Sequence, residues 1–308
     1  MNMHWYPVAG RGSHLRATPQ ELIIEREREV TRIPVGTIQH LLVVGAHHLN
    51  TSVIIQLIRA GSMISFFDTD GHPVGHVAPF GFHDDEEVRE AQKKTPSHRF
   101  AVTIVRAVMN ARLLFLERLA EQRDRELFYK GELEFLHQAR DEVEYLIKMD
   151  ELRRMHRLTS DMYYEILSRR MPQELEFRRR TRRPHRDPVN AMFSFGYAML
   201  HGACCLAAVG AHLDPDVGLL SEGRGSLVQD LMEPLKPTMV DAAVMSMGNA
   251  GISPQEYDTE GTRCHLSERL IEGLVSELRS RIDQRAINAH VLNFRSALLE
   301  REEFTVSY

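Results

Sequence analysis

The stretch from Arg186 to Asp241, RDPVNAMFSFGYAMLHGACCLAAVGAHLDPDVGLLSEGRGSLVQDLMEPLKPTMVD, constrains this chain more than any other. Asp187-Pro188 is a helix start signal, because Asp caps a helix and Pro is tolerated in its first turn. The apolar run behind it predicts a helix to about Ala211. The chain then breaks at His212-Leu213-Asp214-Pro215 and restarts as a helix carrying Asp230 and Glu233. Two carboxylates three residues apart project from one helical face. Six arginines lie immediately upstream, from Arg178 to Arg186. Acid pairs on a helix beside a basic run point to metal-dependent chemistry on a polyanion.

Composition narrows the class. An apolar fraction of 43% with 26% charged residues, over 308 residues, is that of a globular protein of one large or two ordinary domains. The formal net charge of −5 does not announce a nucleic-acid binder, but net charge averages over patches. Cys204, Cys205 and Cys264 form no Cys-x-x-Cys spacing, so neither a disulfide framework nor a zinc site is expected, and a reducing cytoplasm fits. No signal peptide and no membrane span are expected; the apolar helix at 191–211 comes closest, interrupted by Ser194, His201 and glycines.

The expected class is α+β: a small N-terminal β-rich domain joined to a larger all-α C-terminal domain. Residues 1–82 alternate short apolar and charged runs, with strands expected at Ile38–Val44 and Ser62–Asp68, a short helix at Ser52–Arg59, and a turn at Asp70-Gly71 leading to a strand from His72 to Ala78. Residues 83–97 are strongly polar and read as a linker with some helix. From residue 98 to 308 the pattern is helical, with helices expected at His98–Gln122, Gly131–Met149 and Asp150–Met171, and one long last helix from about Leu266 to Leu299.

The basic run reads FRRRTRRPHR, and the planar fork of arginine suits phosphate. Arg178, Arg179, Arg180, Arg182, Arg183 and Arg186 are the candidate DNA-backbone contacts, with Lys236 as a separate candidate phosphate contact; a solvated loop, and for Lys236 a solvated lysine, is the bland alternative. Asp230 and Glu233 can ligate Mg2+ or Mn2+, although the bare D-x-x-E spacing occurs on many solvated helices. His201 and His212 read as core or helix-end histidines, and Asn190 and Tyr197 as packing or site-support residues.

These motifs resemble the CRISPR-associated endonuclease and integrase family, the first of the Cas proteins. DPVNAMFSFGYAML, GLLSE and SLVQDLMEPLKPTMVD are similar to that family's D-P-V-N-A-x-L-S-F-G-Y, G-F-L-H-E and S-L-x-x-D-L-x-E-x-F-R-P-x-x-V-D. Its E-G-x-x-A-R-x-Y-F helix motif falls on HRLTSDMYY, from His156 to Tyr164, and its Arg-rich motif before D-P on Phe177 to Pro188. The resemblance implies metal-dependent insertion of spacer DNA into a CRISPR array. It also implies a homodimer through the β domains and a heterohexamer with the second Cas protein on double-stranded and branched DNA.

The same resemblance implies a metal site made of the Glu of the E-G helix, the His of G-F-L-H and the acid closing D-L-x-E. Only the last survives here, as Glu233; the Glu position is His156 and the His position is Ser221. Three readings stay open. In one, His156, Asp230 and Glu233 form a rearranged catalytic set, assisted by Glu222 or Asp161, that favours Mn2+ over Mg2+ because imidazole is a poor Mg2+ ligand. In another, the chain is a catalytically impaired DNA-binding or assembly subunit. In the third, Glu151 or Glu165 supplies the carboxylate, although at about 100° per residue neither shares a face with His156.

Overall fold

The computed structural model describes residues 5–9, 12–26, 29–68, 73–80, 86–121, 127–259, 263–300 and 302–306. The expected turn at Asp70-Gly71 and the first residues of the linker, 83–85, lie outside the described residues.

Residues 5–77 are rich in strands, and a mostly helical region follows. The strands form two four-stranded sheets rather than one. In the first, β1 (Trp5–Ala9), β5 (His40–Val44) and β7 (Met63–Phe67) run parallel, and β8 (Pro73–Val77) returns antiparallel to β7. In the second, β4 (Glu29–Pro34), β3 (Glu21–Arg26) and β2 (His14–Ala17) are antiparallel, and β6 (His48–Leu49) lies parallel to β2. Helix α1 (Thr51–Arg59) begins at Asn50, whose side chain accepts the amide of Ser52.

The two-residue period of β5 divides its side chains between two cores. Leu41 and Val43 join Leu15, Leu22, Ile24, Val53 and Leu57 in a small core under α1. Leu42, with Trp5 and Phe67, joins the large core of the helical region. This sheet is therefore covered on both faces, which is why HLLVV reads as an unbroken apolar run.

The helices are α2 (Glu86–Lys94), α3 (Ser97–Glu121), α4 (Glu132–Glu142), α5 (Met149–Ser168), α6 (Pro188–Gly210), α7 (Ser226–Met232), α8 (Ala242–Ala250), α9 (Glu268–Arg281) and α10 (Gln284–Glu300). Several expectations need correction. The helix expected at Gly131–Met149 stops at Glu142, and after a 3-10 turn at Val143–Tyr145 the chain is extended at Leu146. The last helix is broken: Ile282 is extended, and the Asp283 carboxylate accepts the amides of Arg285 and Ala286, capping α10. The C-terminal region is mostly helical as expected and carries one short antiparallel pair, β9 (Tyr257–Asp258) with β10 (His265–Leu266).

Helix α6 lies at the centre of the later helices. It touches α7, α8, α9, α10 and β5. By length and composition it could cross a membrane, contrary to the expectation that no run here qualifies, but half of that stretch is buried inside the protein. Its Asp187 cap accepts the amide of Asn190 at 2.7 Å and the Asn190 side-chain amide at 2.8 Å.

Close approach fixes how α6 meets the first sheet. A Cβ on Gly210 would lie 2.7 Å from the Trp5 ring. Overpacking of this kind costs about 1–3 kcal/mol. We therefore expect Gly210→Ala to lower the melting temperature and to red-shift the fluorescence of Trp5, the chain's one tryptophan. Unchanged emission in the folded variant would mean that this contact does not hold the sheet against α6.

Candidate functional site

Glu233 is the centre of the site. Helix α7 ends at Met232, and Glu233 opens a 3-10 turn that includes Pro234. The turn aims the carboxylate between α3 and α5. Both oxygens are taken. Oε2 accepts from the Arg112 guanidinium of α3 at 3.1 Å. Oε1 accepts from the Lys236 ammonium and from the Gln229 side-chain amide. Glu233, Arg112 and Lys236 are all buried, at 7%, 4% and 7% exposure.

The two cations have second anchors. Arg112 also donates to the Ser160 hydroxyl and lies over the Tyr163 ring, 5.2 Å from its centroid. The Lys236 ammonium sits 4.7 Å over the Tyr197 ring. Tyr163 and Tyr197 both donate to Asp241, which is fully buried, and the Tyr164 and Tyr197 hydroxyls meet at 2.7 Å. Two buried carboxylates thus face two buried cations.

The electrostatics follow from this arrangement. Burial pushes the Glu233 carboxyl up, but Lys236, Arg112 and His156 outweigh it and hold it down at about 2. Burial lowers His156 to about 4, with Arg112 and Lys236 adding to the effect against the pull of Glu233, so its ring is neutral at neutral pH. His156 Nε2 lies 4.0 Å from Glu233 Oε2, and this buried nitrogen has no hydrogen-bond partner. Burial raises Asp241, opposed by the two tyrosine hydroxyls and then by Arg112 and Lys236.

Asp230 faces other partners. Its carboxylate accepts the backbone amides of Leu219 at 2.7 Å, Leu220 at 2.9 Å and Ser221 at 3.0 Å. It therefore organises the loop between α6 and α7, and the two carboxylates expected on one face do separate work. Asp216 adds to that loop by accepting the Gly225 amide at 2.6 Å. Gln92 of α2 pins its start, donating to the Asp214 and Val217 carbonyls and accepting the Asp214 amide.

Ser221, on this loop, lines an open cleft of about 570 Å³ with Arg153, His156, His201, Arg224 and Gln229. Glu222 is exposed and bonded to Arg153. Asp161 and Glu151 are exposed, and Glu165 faces Arg169 at 3.7 Å with 66% of its side chain in solvent.

Among the described residues no group of three or more His, Cys, Asp or Glu side chains is placed to hold a metal ion. The donor set explains this. Glu233 presents oxygens already paired with cations, and His156 is one neutral nitrogen. The residues as arranged do not fit a divalent cation.

The arginine run divides in two. Arg178, Arg179, Arg182, Arg183 and Arg186 are exposed. Arg180 turns inward, donating to the Asn190 carbonyl and side chain and to Ser194, beneath the rings of Phe193 and Tyr197. Lys236 is likewise internal. Sequence reasoning missed Arg112, Gln229 and Gln92. Arg112 left a signal: Val108, Arg112 and Leu116 are spaced four apart on the buried face of α3. An arginine in an apolar stripe requires a buried partner.

The pH dependence of stability follows from Glu233. Its carboxyl is at about 2 in the folded chain against an ordinary 4.5. The ion pairs contribute above about pH 4.5 and are lost as pH falls toward 2, an effect on the order of 3 kcal/mol. Urea unfolding of wild type and Glu233→Gln across that window is expected to show the steeper loss in wild type. Parallel profiles would mean that Glu233 is not held by the two cations.

Comparison with known proteins identifies the family. The family described as CRISPR associated protein Cas1 matches residues 6–280. A relative from Methanospirillum hungatei JF-1, named putative CRISPR-associated endonuclease Cas1 2, is 36% identical over 300 residues, covering 97% of this chain and 99% of that one. Two solved structures share the fold. A partial Cas6-RT-Cas1–Cas2 complex gives a TM-score of 0.78 at 20% identity, covering 98% of this chain and 97% of its own. A casposase bound to its integration product gives 0.77 at 19% identity, covering 99% and 98%. This chain belongs to the Cas1 family of CRISPR-associated proteins.

Proposed function

We propose that this chain serves CRISPR spacer acquisition as a DNA-holding and assembly subunit whose own centre at Glu233 does not carry out strand transfer. The observation behind this reading is that Glu233 is engaged by Arg112 and Lys236 on its two oxygens. Relatives named as Cas1 endonucleases, and neighbours described in a Cas1–Cas2 complex and on an integration product, supply the setting. In that setting the chain works in the cytoplasm as a homodimer through residues 1–82. Residues 83–97 link that part to a DNA-handling part at 98–308, and the second Cas protein completes a heterohexamer.

The exposed arginines Arg178, Arg179, Arg182, Arg183 and Arg186 hold the phosphate backbone of double-stranded or branched DNA. Arg180 supports them from within: it ties the basic segment to Asn190 and Ser194 of α6. Lys236 acts on Glu233 rather than on phosphate.

A second reading keeps the family's metal-dependent integrase activity, with His156, Glu233 and Asp230 on Mn2+ or Mg2+. One observation favours it: the bare His156 Nε2, 4.0 Å from Glu233. It requires Arg112 and Lys236 to leave Glu233, and Asp230 to release the loop it organises.

Two measurements test the proposal. Wild type and Glu233→Ala are expected to bind branched DNA alike, and neither to cleave or join it in Mg2+ or Mn2+; Mn2+-supported cleavage lost in Glu233→Ala would establish the second reading instead. Alanine at Arg178, Arg179, Arg182 and Arg183 is expected to reduce the salt slope of DNA binding by about 0.9 per lost phosphate contact. An unchanged slope would remove the basic run from the interface.

A further inference from the structure

We infer that His40 is an acid-operated clasp between the first sheet and the end of α6: a proton taken up there parts the two while both regions stay folded. The device is separate from the centre at Glu233 and from the arginine run.

The contact is built on one face of the sheet. Trp5 and His40 are partners in register on β1 and β5, and such partners share a face. That face also carries Leu42, which belongs to the helical core. The C-terminal end of α6 stands against it. Gly210 meets the Trp5 ring, and two residues on His212 stacks on His40, with ring centroids 5.7 Å apart and planes 28° apart. His212 takes a left-handed backbone there, φ 61°, which few residues other than glycine adopt.

This setting has no place for a charge on His40. The residue is 1% exposed. Its Nε2 shares a hydrogen bond with Ser65 Oγ at 2.8 Å, and its buried Nδ1 has no hydrogen-bond partner. A protonated imidazole carries a hydrogen on both nitrogens, so Nδ1 would become an unsatisfied buried donor on a charged ring. The surrounding groups offer no counter-charge. Strand β7 supplies the Ser65 hydroxyl, β8 supplies His76, and the turn after α6 supplies His212; both histidines oppose a proton on His40. Tyr6 of β1 packs on the opposite face, in the small core. Strands β1, β7 and β8 and helix α6 contain no Asp, Glu, Lys or Arg. Asp214, two residues beyond His212, turns its carboxylate to the Asp216 amide. Burial first, then His212 and His76, hold the His40 ring down at about 3, against an ordinary 6.5. The contact is therefore at full strength above pH 6.5. Below it only the open form takes the proton, and opening becomes about tenfold more favourable per pH unit.

Trp5, the chain's one tryptophan, sits in this contact and reports it. The test is urea unfolding of the full chain at pH 7 and pH 5, followed by Trp5 emission and by far-ultraviolet circular dichroism. Burial also holds His156 and His290 low, each at about 4, but they act on the whole fold and move both probes together. Wild type is expected to show coincident transitions at pH 7. At pH 5 the Trp5 transition is expected at lower urea than the loss of helix, with opening about 30-fold more favourable than at pH 6.5. His40→Gln removes the titrating ring and keeps a hydrogen-bonding group for Ser65, so its two transitions should coincide at both pH values. Should that variant not fold, His40→Phe keeps a ring in the stack and carries the same expectation. Coincident transitions in wild type at pH 5, or a Trp5 transition that still separates in the substituted chain, would overturn the clasp.

Discussion

A carboxylate buried between two cations is the interaction on which the centre of this protein depends. Removing one partner of a buried ion pair leaves an uncompensated charge and costs about 3–5 kcal/mol, so Glu233, Arg112 and Lys236 are tied to one another. They come from two parts of the chain: Lys236 follows Glu233 by three residues, and Arg112 lies 121 positions away. Bringing them together joins α3, α5, α6 and the turn after α7 at one point. Tyr163, Tyr197 and Asp241 extend the same network, so the charge balance of the centre and the packing of the helical core are one constraint.

The loop bearing Ser221 hangs from this core by hydrogen bonds rather than by apolar packing alone. Asp230 gathers three successive amides, and Gln92 brings the helix that follows the strand-rich region onto the loop's first turn. The cleft beside this loop is lined by Arg153 and His156 of α5, His201 of α6 and Gln229 of α7. The exposed arginines stand just before α6, held in place by the inward Arg180. Rigid core, ordered cleft wall and exposed basic segment succeed one another along a short length of chain.

Much of this was legible in the sequence where signals are local. Asp187-Pro188 marked the start of α6, and the observed helix, Pro188–Gly210, ends one residue before the expected Ala211. The strand-rich start and the helical remainder followed from the change in apolar period near residue 98. Local pattern failed where one residue outweighs a long periodic run: Asp283 caps a new helix inside an apparently continuous one. It failed again where partners are distant. Asp230 and Glu233 share a spacing that suggests joint ligation, yet one meets three amides of a preceding loop and the other meets an arginine from α3. Substitution of the family's Glu and His positions by His156 and Ser221 was visible at once. The answering cations were not, because a lysine three residues on and an arginine in an apolar stripe acquire meaning only when the chain folds.

Anomalous diffraction from crystals of the wild-type protein soaked in Mn2+ tests the paired-ion centre most directly. The expected result is no anomalous peak within ligand distance of Glu233, with Arg112 and Lys236 still in contact with its carboxylate. A peak bonded to Glu233 and His156, with either cation displaced, would contradict it.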